Sequence, residues 1–109
     1  MRKKIPRQAQ RYPAELAVTN LNGQAATATF LRDISALGAK LEAPAPLAPR
    51  HPVELMVLFP GAQTETLIGG VVIWMRPSAT PGRYLMGLKF HQRYWDLDQL
   101  GRAGKIPWQ

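Results

Sequence analysis

The sequence contains no cysteine, which excludes a disulfide framework, a thiolate zinc site and a cysteine nucleophile. Histidine is nearly as scarce. His51 lies in a proline-rich loop and His91 follows the last strand-like segment, and neither has the spaced partners of a metal site or a catalytic triad. "GRAGK" is only superficially like a phosphate-binding glycine loop, because its spacing is too short and Ile106 stands where Ser or Thr belongs. Neither catalysis nor a cofactor or metal is expected. No apolar run approaches the ~20 residues that span a bilayer, and the basic start "MRKKIPRQAQRYP" is not followed by the apolar stretch of an export signal. The expectation is a soluble, cytoplasmic chain with no membrane insertion. Acids are few as well: 7 against 14 Lys and Arg, for a net charge of +7.

That excess favours anionic partners, and it is unevenly placed. Arg2, Lys3, Lys4, Arg7 and Arg11 fall in the first eleven residues, with no acid among them. The segment reads either as an anion-binding arm or as a solvated terminus. A length of 109 residues suits one domain with a single core. Ten prolines and nine glycines suit short elements and tight turns. Six stretches alternate or run apolar: "AELAVT", "ATATFLRDIS", "GAKLEAP", "VELMVLF", "LIGGVVIWM" and "YLMGLKF". Turn signals such as Asn22-Gly23 separate them. Parallel pairing would need crossover helices that the sequence lacks. An all-β, six-stranded antiparallel barrel is expected, with Gly69-Gly70 supplying a bulge or sharp bend. "WDLDQLGRA" predicts a short C-terminal helix capped by Asp96, with Leu97 and Leu100 on one face covering an open end of the barrel. The layout is an arm over 1–12, a barrel over 13–92, and a helix and tail over 93–109.

The segment "LRDISALGAKLE" asks for a chemical reading, since Asp33, Ser35 and Gly38 sit where a plain strand prefers β-branched residues. On an extended strand Asp33 and Ser35 project to the same side, and Gly38 leaves the backbone bare beyond them. A carboxylate can accept from guanine N1-H and N2, and a hydroxyl can reach a further polar edge or a phosphate. The competing reading is an Asp/Ser turn closing a hairpin, with glycine at a positive φ. Arg7 and Arg11 add forked donors that match phosphate oxygens or the guanine O6/N7 edge. Trp74, followed by Arg76 on the same face, either stacks a base or packs against the helix.

"RQAQR" before the first strand and "DISALG" at the end of the second resemble the R-x-x-x-R and [D/N]-x-S-x-x-G signature of PilZ domains, receptors for the bacterial second messenger cyclic di-GMP. With five Asp or Asn, two Ser and nine Gly available, the second motif is expected by chance only about 0.008 times in such a chain. "GLKF" ending the sixth strand is similar to a further family pattern. The resemblance implies a six-stranded barrel with a helix. It implies that Arg7 and Arg11 take guanine and phosphate, and that Asp33, Ser35 and Gly38 take the guanine edge and its close approach. It also implies that the arm, mobile without ligand, folds over the nucleotide and clamps it against the barrel.

Two other readings use the same composition. A small basic barrel can bind single-stranded nucleic acid, but here exposed-aromatic candidates are few and the cations are concentrated in one arm. A nucleotide-independent protein adaptor would not need the intact arginine motif. With no room for an output domain, any response is expected to pass through a separate partner protein or through self-association as a homodimer.

Overall fold

The computed structural model of the chain describes residues 11–59 and 61–104. Its elements are β1 (Tyr12–Leu21), β2 (Gln24–Ala25), β3 (Phe30–Ile34), β4 (Gly38–Ala43), β5 (Pro52–Val57), β6 (Thr66–Pro77), β7 (Tyr84–Phe90) and α1 (Trp95–Arg102). β2 is a two-residue return onto the end of β1 through Asn22 and Gly23, both at positive φ (52° and 84°), as a tight hairpin turn requires. The other six strands form the ring β1-β3-β4-β7-β6-β5, antiparallel throughout, and β5 pairs back onto β1 to close it. The expected six-stranded barrel is present, and closure removes the long exposed edges that an open sheet would carry.

Alternation decides what points inward. Leu16, Val18, Leu31, Leu41, Leu55, Ile68, Val72, Met86 and Leu88 are all buried in the barrel interior, where each large apolar side chain contributes roughly 1.5–3 kcal/mol relative to exposure.

Three details depart from the sequence expectation. The bulge in β6 falls between Val72 and Trp74 and not at the glycine pair. Gly70 serves the close backbone approach that glycine permits: a Cβ there would collide with the carbonyl oxygen of Lys89 on β7. In "ATATFLRDIS" only Phe30–Ile34 is strand, because Ala28 takes a positive φ of 53° and Thr29 Oγ1 turns back to donate to the Thr27 carbonyl. α1 starts one residue earlier than the predicted cap. Its N-cap is Tyr94, with no side-chain capping bond, and Asp96 lies inside the first turn. Tertiary anchoring sets this start. The Tyr94 amide donates to the Ala36 carbonyl at 2.8 Å, its hydroxyl accepts from the Gly69 amide at 3.2 Å, and its ring meets Phe90 edge-on at 5.3 Å. Leu97 then joins the core and Leu100 packs beside it. At the far end of α1, Gly101 lies against the ring of Tyr12, where any Cβ would overlap the ring carbons. Among the described residues no helix is long and apolar enough to cross a membrane.

Candidate functional site

Antiparallel pairing of β1 with β3 sets Tyr12 opposite Ile34 and Pro13 opposite Asp33. This register brings the residue preceding β1 to the end of β3. Arg11 Nη1 donates to Asp33 Oδ1 at 2.7 Å, and Lys40 Nζ stands 3.7 Å from Asp33 Oδ2. One residue from each sequence motif is thereby joined at one corner of the barrel. Arg7, Lys3 and Lys4 lie outside the described residues.

Ser35 and Gly38 sit in the turn that follows. β3 ends at Ile34, so Ser35 does not continue the strand face of Asp33 but turns inward and is buried. Its Oγ accepts from the amides of Leu37 and Gly38, each at 3.1 Å, and donates to the Gly38 carbonyl at 3.3 Å. The Ser35 amide also donates to that carbonyl at 2.8 Å. The hydroxyl is therefore engaged in closing the β3–β4 hairpin. Gly38 is not at positive φ. It pairs with Lys89 on β7, and a Cβ would collide with the Leu88 carbonyl oxygen. The turn is further pinned by Phe90, whose amide donates to the Leu37 carbonyl at 2.8 Å.

Across the outer face of the barrel the register makes one row: Asp33 opposite Lys40, Lys40 opposite Gly87, Gly87 opposite Trp74. Trp74 lies over Gly87, whose missing side chain leaves the room that the indole fills. The Arg76 guanidinium stands 5.0 Å from the indole centroid, a cation–π contact. With neighbouring strands about 4.8 Å apart, Asp33 and Trp74 are separated by about 14 Å along the sheet. That is wider than one purine. The two residues can serve different parts of one extended ligand, and not the two sides of a single base.

Beside this row is a cleft of about 210 Å³ lined by Arg11, Ser35, Leu37, Gly38, Ile73, Leu88 and Lys89. Three of the sequence candidates, Arg11, Ser35 and Gly38, meet here, whereas Asp33 and Trp74 flank the cleft without lining it. Ile73 is the extra residue of the β6 bulge and is half exposed. Sequence reasoning passed over Lys40, Ile73 and Lys89. Lys40 stands two residues after Gly38 in the strand following the motif, and Lys89 falls within "GLKF", while Ile73 carried no signal.

A separate charged cluster occupies the next row. Glu42, buried to 6% exposure, accepts from Arg32 Nε at 2.7 Å and Arg83 Nε at 2.5 Å. Burial pushes its carboxyl upward, but the hydrogen bonds from Arg83 and Arg32, with their charges, outweigh this and leave it below its ordinary range. Arg83 also donates to the Ala28 carbonyl, so the cluster ties the β6–β7 turn to the loop before β3. It is a structural clasp.

No curated protein matches the chain. Among solved structures the chain is similar to the Bacillus subtilis inhibitor of motility MotI/DgrA, with 19% identity and a TM-score of 0.68, over 94% of this chain and 51% of that one. At that identity the likeness concerns the fold alone, and the chain spans about half the length of its neighbour. The family model described as PilZ domain matches residues 5–97, a span that contains both motifs, all the barrel strands and the start of α1. The chain belongs to the PilZ domain family.

Proposed function

We propose that the chain is a cyclic di-GMP receptor that acts as an adaptor, with Arg7, Arg11, Asp33 and Trp74 contacting the ligand and Ser35 and Gly38 shaping the turn against which it lies. The observation that carries this reading is the Arg11–Asp33 contact, which joins the two motifs at the mouth of a cleft. Arginine supplies forked donors for phosphate or the guanine O6/N7 edge, and aspartate supplies the acceptor for N1-H and N2. In this reading the arm carrying Arg7 closes over the nucleotide, and the altered surface is recognised in the cytoplasm by a partner protein or a second copy of the chain.

Titration calorimetry with cyclic di-GMP and cyclic di-AMP tests the reading. Clear preference for the guanine ligand is expected, because adenine has no N1-H to offer Asp33. Equal affinity for the two, or no binding, overturns it. Closure of the arm is tested by hydrogen exchange: amides from about Lys3 to Tyr12 gain protection in the complex.

A further inference from the structure

Lys89 occupies one wall of the 210 Å³ cleft and Arg11 another, with Ile73, Leu37 and Leu88 as apolar lining and the side-chain-free Gly38 beside them. Among the described residues no carboxylate lines this cleft. The two cations differ in state. Arg11 is held by Asp33, whereas Lys89, exposed on the outer face, forms no ion pair among the described residues. Its place is fixed by the ladder: Lys89 is opposite Gly38 on one side and opposite Val71 on the other. A single half-exposed isoleucine on a surface needs no explanation. Ile73 differs in that the β6 bulge pushes it out into a concavity lined by two cations, and bulges commonly re-aim a side chain beside a functional site.

We infer that Lys89 is a further ligand-binding residue, which together with Arg11 holds a phosphodiester of the bound cyclic dinucleotide, while Ile73 packs against the adjoining ribose. The inference rests on the nucleotide reading above and deepens it. If the guanine takes over Asp33, Arg11 is released at the edge of the cleft, and the anion between Arg11 and Lys89 replaces the carboxylate that Arg11 has lost. Lys89 has no ion pair among the described residues to give up when it takes the phosphate. A cleft with an apolar lining and a cation on each of two walls suits an anionic ester carried on a carbon skeleton better than a free inorganic anion, which would leave Ile73 uncovered.

The test is calorimetric titration of cyclic di-GMP into the full chain and into Lys89→Gln, Lys89→Arg and Ile73→Ala, at low and at moderate salt. Lys89→Gln is expected to weaken binding by about tenfold or more, the usual size of a lost hydrogen bond between charged groups. Its affinity should also depend less on salt than that of the wild type, since one screened attraction is gone. Lys89→Arg should stay within a few-fold of the wild type. Ile73→Ala should weaken binding while keeping the wild-type salt dependence. Wild-type binding with an unchanged Lys89→Gln variant would overturn the role of Lys89 alone. An absence of binding by the wild type overturns the nucleotide reading, and this inference with it.

Discussion

Arg11 and Asp33, twenty-two positions apart, hold each other at 2.7 Å, and the second oxygen of the same carboxylate faces Lys40 at 3.7 Å. Both acceptor oxygens are answered by cations. A guanine that donates to Asp33 through N1-H and N2 competes with Arg11 for these oxygens, and a displaced guanidinium becomes available to phosphate. Arg11 is more than half exposed, and pairs of this kind contribute only about 0–1 kcal/mol. The exchange is thus cheap for the protein.

Asp33→Ala separates a guanine receptor from a general anion binder. In an anion binder the substitution frees Arg11 and Lys40 and strengthens binding. In a guanine receptor it leaves N1-H and N2 without an acceptor, costing about 1–3 kcal/mol. Calorimetry with cyclic di-GMP should show weaker binding.

Arg11→Ala should weaken cyclic di-GMP binding by tenfold or more and leave the melting temperature of the ligand-free protein nearly unchanged, since the side chain contributes little to the fold. Arg7→Ala is expected to lower affinity likewise. Calorimetry and a thermal melt on each variant check both halves.

The barrel was legible because inward apolar residues repeat every second position, and Asn22-Gly23 announces its turn through the positive φ both residues take. The arginine and Asp-Ser-Gly motifs were legible as types at fixed spacing. What was not legible depends on register between distant strands. Nothing near Lys89 in the sequence says that it lies opposite Gly38, and nothing near Trp74 says that Gly87 gives it room. The start of α1 escaped for a related reason: Tyr94 is fixed by Ala36, Gly69 and Phe90, and those contacts outweigh the capping preference of Asp96. Ser35 and Gly38 were legible as a motif that suits a hairpin as well as a ligand, but the inward turn of Ser35 was not, because it depends on β3 ending at Ile34.

Ser35→Ala and Gly38→Ala are accordingly expected to act on stability before affinity. The first leaves the Leu37 and Gly38 amides without their acceptor, costing about 1–3 kcal/mol. The second forces a methyl against the Leu88 carbonyl, costing about as much or more. Denaturant unfolding of the ligand-free variants measures both.

Gly87→Ala should tip the Trp74 indole off the sheet and break its contact with Arg76. We expect a loss of about 1–3 kcal/mol in stability together with weaker cyclic di-GMP binding. Trp74→Ala in the same assay identifies how much of the binding loss belongs to the ring, and Gly87→Ala affinity equal to the wild type would remove the platform from the site.

Glu42 makes a pH prediction. Its carboxyl titrates lower in the folded chain than in the unfolded one, where about 4.3 is usual for Glu. The unfolded state therefore binds a proton first on acidification. The contribution of Glu42 is complete above the unfolded value and is lost as pH falls through the folded one. Glu42→Gln should lower stability at neutral pH by about 1.5–3 kcal/mol and flatten the acid limb of a stability–pH curve. Urea melts between neutral pH and pH 3 compare the two proteins.

Tyr12 follows Arg11 directly in the chain, and its ring fills the space left by Gly101 on α1. Strand and helix therefore share one contact, and a shift of either is felt by the other. Coupling free energies between two binding events are reciprocal. A protein that recognises α1 differently when nucleotide is bound must change the nucleotide affinity by the same factor. Titrating the nucleotide with and without such a protein measures that factor.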